Sequence, residues 1–305
     1  MILFVGDGLS SSTITGARYL KAANMNKSAG DVVLDWELWP AISLLHTFSA
    51  NRMTTDSAAS ATALLCGLTA QDHLDYEIHR TDQPSLAEMT EKGIKFLSRN
   101  PKGYLLLVEG GRIDHGHHSN QARYALTEML ALEKAVSTAM SRVSLNETLM
   151  VVTADHSHAY GVIGYGNRRR HVLDLDNSRL GSDGYPYFIS AYFSGPGGSA
   201  KQPRRDPSND RIFEDGYRQQ ALVPLSSATH AADGVPLYAI GPLSQLFHRS
   251  MDNTYVAHAT TFALCLEGYQ EEPHCIRRNV SPKRYVCPYQ LLFLIGAQIV
   301  LTSVM

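Results

Sequence analysis

Three largely apolar runs stand out along the chain: Ile2 to Val5, Tyr104 to Val108 and Leu149 to Thr153. Each has the length and composition of a buried strand. Each ends in residues that turn the chain and carry charge: Gly6-Asp7-Gly8, Glu109-Gly110-Gly111 and Ala154-Asp155-His156. A last strand is predicted at Val235 to Ile240, just after Thr229-His230. Between the strands the apolar period lengthens to that of helices. Ser10 to Thr13 can cap a helix over Ile14 to Ala23. Pro84 to Leu97 carries a packing stripe of Leu86, Met89, Ile94 and Leu97. Ala122 to Val143 reads as a long amphipathic helix and residues 254–266 as a terminal one. Trp36 to Ala50 reads as loop plus strand. The pattern predicts an α/β fold with a central, mostly parallel sheet flanked by helices. In such sheets ligands sit beyond the carboxyl ends of the strands. Asp7, Glu109, Asp114, Asp155 and His156 are therefore expected to converge, with His230 entering on a loop.

The densest chemistry follows the second strand. Asp114, His115, His117 and His118 lie within five residues, and one helical turn puts Asp114 and His118 on one face. A carboxylate beside an imidazole suits zinc. The second informative stretch is Thr54-Thr55-Asp56-Ser57-Ala58-Ala59-Ser60-Ala61-Thr62-Ala63. Alanine-rich sequence after Thr-Asp-Ser is a helix with a polar start, which places Ser57 at or near a helix N-terminus. Free N–H groups there favour an anion, a serine alkoxide or a phosphate, although Ser57 could equally be an N-cap.

Composition narrows the rest. A chain of 305 residues, 44% hydrophobic, fills one large domain or one plus an insert. A formal charge of −2 without a basic patch argues against nucleic acid. Residues 165–223 turn rich in Gly, Pro, Arg and Asp and read as a surface insert, with Arg168-Arg169-Arg170 a solvated face. Of the four cysteines, Cys66 sits in an apolar run, Cys265 and Cys275 close a short loop and could pair in a secreted protein, and Cys287 is left odd. At the end, Asn279-Val280-Ser281, a polar spacer and the apolar Leu291 to Val304 have the layout of a lipid-anchor signal, with Asn279 or Ser281 as attachment candidates. An anchor requires entry to the secretory pathway, yet Met1 opens on a strand rather than a signal peptide, so an upstream segment is expected. Asn26, Asn146 and Asn279 begin glycosylation sequons.

Together, Phe4-Val5-Gly6-Asp7-Gly8, Thr55-Asp56-Ser57-Ala58-Ala59-Ser60-Ala61-Thr62, Val108-Glu109-Gly110-Gly111-Arg112-Ile113-Asp114-His115-Gly116-His117-His118, Thr153-Ala154-Asp155-His156-Ser157-His158 and Thr229-His230 closely resemble alkaline phosphatases. The resemblance covers residues 2–69 and 74–266 and points to the animal, membrane-bound branch. It implies a three-layer fold in which residues 1–164 and 229–266 form the catalytic domain. Residues 165–228 would be a crown-like insert at a homodimer interface, and residues 267–305 the tail. It implies hydrolysis of small phosphate monoesters through a phosphoserine at Ser57. Asp114, His118 and His230 match the ligands of one zinc, and Asp7, Asp155 and His156 those of a second. Asp7 and Glu109 match magnesium ligands, and His115 a histidine just outside the metal shell. The Cys265–Cys275 pair and the cell-surface anchor fit the same branch. Family members are much longer. The gap falls between about Thr69 and Asp75, and would carry a phosphate-binding arginine, a hydroxyl ligand to magnesium and further strands. Gln83 stands where the animal enzymes place a calcium-site acid. The alternatives are an impaired, zinc-binding, lipid-anchored surface protein and another hydrolase of the same metal-dependent superfamily.

Overall fold

The computed structural model describes residues 1–47, 75–199, 204–266 and 268–276, and the backbone of 290–295 and 298–303. Strand β1 (Ile2–Gly6) is buried throughout, as a wholly apolar run requires. Ser10 caps α1 (Ser11–Asn24), its Oγ accepting from Thr13 N. Then come β2 (Ala41–His46) and α2 (Leu86–Leu97). Ser85 and Glu88 close a capping box on α2. Strand β3 (Leu105–Gly110) runs through Glu109 rather than stopping there, and α3 (Arg112–His118) begins at once. Helix α4 (Ala122–Arg142) lays Ala125, Leu126, Met129, Leu132, Val136 and Ala139 into the core.

After β4 (Met150–Ala154) come two short strands, β5 (Ser157–His158) and β6 (Tyr160–Val162). The insert adds β7 (Leu175–Asp176), β8 (Tyr187–Phe188), β9 (Ser190–Gly195) and β10 (Ala221–Pro224). The chain continues through β11 (His230–Ala231), β12 (Val235–Ile240), β13 (Arg249–Asp252) and α5 (Tyr255–Ala263), the last shorter than its apolar pattern suggests. Gln290–Ile295 and Gln298–Ser303 form strands β14 and β15.

The main sheet runs β13-β2-β12-β4-β1-β3-β14-β15. Its centre is parallel: β1 pairs with β3 and with β4, Gly6 standing opposite Gly110 on one side and Ala154 on the other. The register aligns three carboxyl ends, so Asp7 and Asp155 leave neighbouring strands at one level. Strand β12 is antiparallel to both β2 and β4. Within the insert β7 pairs with β8, but its three-stranded sheet is not its own: β9 pairs with β6, so a strand from before residue 165 completes it. The apolar tail read as an anchor signal runs as a hairpin, with β14 parallel to β3.

Helix α3 packs on α4 at very short range. A Cβ on Gly116 would meet Ala125 N at 2.5 Å, which explains glycine in the middle of α3.

Candidate metal centre

Two clusters of metal-ligating side chains lie at the carboxyl ends of β1, β3 and β4. One gathers Asp114, His118, His158 and His230, the other Asp7, Asp155 and His156. In the first, Asp114 Oδ2 lies 3.1 Å from His118 Nε2. Its Oδ1 lies 3.2 Å from His158 Nε2 and 3.3 Å from His230 Nε2. In the second, His156 Nε2 is 3.2 Å from Asp7 Oδ1 and 3.4 Å from Asp155 Oδ2. The rings of His156 and His230 stack at 3.6 Å, so the two clusters adjoin.

Local hydrogen bonds decide which atoms face a cation. His118 Nδ1 donates to Ala228 O at 2.6 Å and His156 Nδ1 to Ser157 O at 3.1 Å. Each puts the ring proton on Nδ1 and turns the Nε2 lone pair toward its cluster, the usual arrangement behind a histidine ligand. His158 is the reverse. Its Nδ1 accepts from Ala159 N at 3.0 Å, so the ring proton sits on Nε2. Burial holds the ring neutral, its pKa pushed down to about 4. His158 is thus a donor aimed at Asp114, and three of the four residues remain to ligate. A three-ligand set with an open position is the pattern of catalytic zinc. At the His158–Asp114 contact neither buried atom has a well-formed hydrogen bond. A cation drawing on Asp114 Oδ1 would satisfy it.

The second cluster is equally prepared. Asp155 Oδ1 accepts from Gly8 N at 3.1 Å and from His156 N at 2.9 Å, which turns Oδ2 inward. Gly8 holds a φ of +69°, and a Cβ there would press on His158 and Asp114. Burial pushes Asp7 well above the usual carboxylate range, reinforced by Asp155, Asp114 and Glu109. Burial and then Asp155 and Asp114 push Glu109 up to about 8. At Asp114 burial acts the same way, but the hydrogen bonds and charge of the surrounding imidazoles outweigh it and hold the carboxyl well below its ordinary value. Carboxylates that raise one another's pKa are an electrostatic liability unless cations join them. The donor set therefore fits divalent metal.

Six of the seven residues expected as metal ligands gather in the two clusters, and Glu109, in neither, acts on them through its charge. His230 reaches the centre on β11, paired with β5, rather than on a loop. His115 is half-buried on α3, with Nδ1 3.1 Å from Arg112 Nη1. Cys265 and Cys275 are disulfide-bonded. Ser57, Asn279, Ser281, Cys66 and Cys287 lie outside the described residues. Two histidines had no role in the sequence reading. His158 is placed by the β5–β11 register, which sets it opposite His230. His117, fully buried, bridges Thr13 Oγ1 at 3.1 Å and the Tyr192 hydroxyl at 3.0 Å, and so ties α3 to α1 and to β9.

The comparisons with known proteins point to one family. The family model for alkaline phosphatase matches residues 1–73 and 67–266, in two pieces that meet where the sequence reading places the gap. The tissue-nonspecific alkaline phosphatase of Felis catus is 38% identical over 214 residues, 69% of this chain and 40% of that one. The alkaline phosphatase of Gadus morhua is 39% identical over 205 residues, 66% of this chain and 43% of that one. The chain thus spans about two fifths of the length of the curated relatives it matches. The fold is shared with the alkaline phosphatase of the Antarctic bacterium TAB5, at a TM-score of 0.57 and 16% identity over 87% of this chain and 97% of that one. The Thermus thermophilus alkaline phosphatase has a TM-score of 0.60 at 17% identity, over 87% of this chain and 91% of that one. With the strand-end acids, the paired clusters and these likenesses in agreement, this chain belongs to the alkaline phosphatase family.

Proposed function

We propose that the chain is a metal-dependent phosphoric monoester hydrolase that works through a phosphoserine at Ser57. The observation that carries the reading is the pair of adjoining clusters, joined by the His156–His230 ring stack at the ends of three parallel strands. Asp114, His118 and His230 would hold one zinc, and Asp7, Asp155 and His156 a second. Asp7 and Glu109 would contribute to a magnesium site. A TAB5 enzyme variant is described with magnesium in its M3 site, which supports a third position. Metals at such sites supply Lewis acidity to the attacking and departing oxygens and lower the pKa of a hydroxyl. The chain's own residues do the rest. Ser57 Oγ attacks phosphorus, and its P–O bond forms as the bond to the leaving alcohol breaks. Water then cleaves the phosphoserine, returning Ser57 and inorganic phosphate. The Ala228 carbonyl holds His118 in orientation throughout, and His158 Nε2 stands 3.2 Å from Asp114 Oδ1.

The test is metal-reconstituted protein assayed on a monoester, a diester and a sulfate ester. The monoester should be preferred, and Ser57→Ala should abolish phosphoserine while retaining zinc. Preference for the diester or the sulfate ester would place the chain elsewhere in the superfamily. A second reading, an impaired zinc-binding surface protein, is favoured by the two-piece family match. It predicts stoichiometric zinc without turnover.

The remaining proposals concern setting. The disulfide suits an oxidising compartment, and Asn26 and Asn146 are exposed, as glycan acceptors must be. Exposed Phe193, Leu222 and Val223 on the insert suit a homodimer face. Anchoring through Asn279 or Ser281 at the cell surface would remove the apolar tail. Among the described residues no helix is long and apolar enough to cross a membrane. Release from cells by a phospholipase specific for such anchors tests the proposal, and retention of the 290–303 hairpin in the mature protein would refute it.

A further inference from the structure

Strand β9 of the insert buries every second side chain, Ser190, Tyr192 and Ser194, while Phe193 between them is exposed, as the strand period requires. That buried face meets the end of α3. Ser194 touches two separate segments there. Its carbonyl accepts from Asn120 Nδ2 at 3.0 Å, and its Oγ accepts from Thr229 N at 3.0 Å. Asn120 lies two residues after His118, and Thr229 one residue before His230. Asn120 is fully buried and holds a φ of +57° less two, that is +55°, a left-handed backbone that asparagine tolerates. Its Oδ1 accepts from Gly197 N at 2.8 Å and its carbonyl from Gln219 N at 2.9 Å. Ala228, at the end of the insert, donates its N–H to His118 O at 2.9 Å. Two histidines of the first cluster are thus fastened to the insert. The hydrogen bonds described for the second cluster come instead from Gly8 and Ser157, which lie outside it.

We propose that Ser194 and Asn120 are positioning residues, a clasp through which the insert sets the spacing of His118 and His230 and so tunes the first metal position but not the second. The reason is mechanical. A cation held by side chains from two distant segments binds tightly only if those segments are already at the right separation, and residues behind the ligands supply that order. Ser194 joins the two segments through one residue, by its carbonyl on one side and its hydroxyl on the other. The coupling is reciprocal: a cation that draws His118 and His230 together must also steady β9. The metal half of this proposal rests on the zinc reading given above. The clasp itself does not.

The experiment measures zinc affinity by chelator competition on the full chain, in two backgrounds. Asp155→Ala leaves the first cluster intact, and His230→Ala leaves the second. Ser194→Ala removes the hydroxyl arm of the clasp. Asn120→Gly removes the amide arm and keeps the left-handed backbone. Each should weaken zinc about tenfold at the first cluster and leave the second within twofold, a selectivity that general loosening of the fold would not produce. Equal weakening at both clusters, or none at the first, overturns the proposal. Hydrogen exchange read by mass spectrometry tests the reverse direction. Zinc should slow exchange across residues 190–198 when the first cluster is intact and not when only the second is; protection in both backgrounds, or in neither, overturns the coupling. If the unmodified chain takes up no zinc, the metal reading fails. Exchange in metal-free protein still decides the clasp: the Thr229 amide should exchange faster in Ser194→Ala and the Gly197 amide faster in Asn120→Gly, and unchanged rates overturn it.

Discussion

Glu109 offers the sharpest test of the metal centre, through stability rather than turnover. Burial and the neighbouring Asp155 and Asp114 carboxylates push it up to about 8. In the unfolded chain the same group titrates near 4.5. Between those values the folded, metal-free protein keeps a proton that the unfolded chain has released, so folding stability falls as pH rises. Buried histidines oppose this at lower pH. His158, His117 and His156 are all depressed, so they bind fewer protons when folded, and stability rises with pH until they are neutral in both states. Those histidines are still half-protonated in the unfolded chain at 6.5 and neutral only about a pH unit higher, so across the range pH 6.5–8 Glu109 is read as the difference from a variant that lacks its carboxyl. At about 1.36 kcal/mol per pH unit, Glu109 can cost at most about 2 kcal/mol across it. Its carboxylate keeps some solvent contact, so about 1 kcal/mol is the working figure. His118, raised overall, loses stability in the same direction, so the comparison must be with Glu109→Gln. Urea unfolding of chelator-treated protein at pH 6.5, 7.2 and 8 should show the midpoint of the native sequence losing ground to that of Glu109→Gln as pH rises. Added magnesium should then stabilise the native sequence more than the variant at pH 8. Parallel slopes for the two proteins would refute the reasoning, because Glu109 would not be carrying the proton.

Other consequences follow from single contacts. His158→Ala removes the donor beside Asp114 Oδ1 and should weaken zinc binding about 10–100-fold, measured by competition with a chromophoric chelator. Gly116→Ala forces a methyl against the α4 backbone at Ala125 and should cost about 1–3 kcal/mol in urea unfolding, with zinc affinity falling as α3 shifts. Lys21→Met strands Glu133, which is 6% exposed and pairs with Lys21 Nζ at 2.5 Å. Because Lys21 is partly solvated, a loss of about 2 kcal/mol is expected, and an unchanged midpoint would show that the Asp35 amide alone satisfies Glu133.

The chain's own order of residues determined a good deal. Apolar runs of strand length ending in acids specified β1, β3 and β4 and the side on which a site would form, because strand period and turn residues are local properties. The Asp114–His118 spacing specified one helical face for the same reason. The strand-end motifs also carried the family. Tertiary structure decided what depends on partners distant in sequence. The reversed direction of β12, the pairing of β6 with the insert and the hairpin of residues 290–303 beside β3 are matters of which edge was open to pair. His230 and His158 illustrate the point at one residue's scale. In sequence both are histidines among small polar neighbours, and only the β5–β11 pairing sets them face to face. His158 then becomes a donor because the Ala159 amide occupies Nδ1, while His118 turns an Nε2 lone pair to the cluster because the Ala228 carbonyl takes its Nδ1 proton. A histidine's role is set by the hydrogen bond on its far nitrogen, and that bond exists only once the chain has folded.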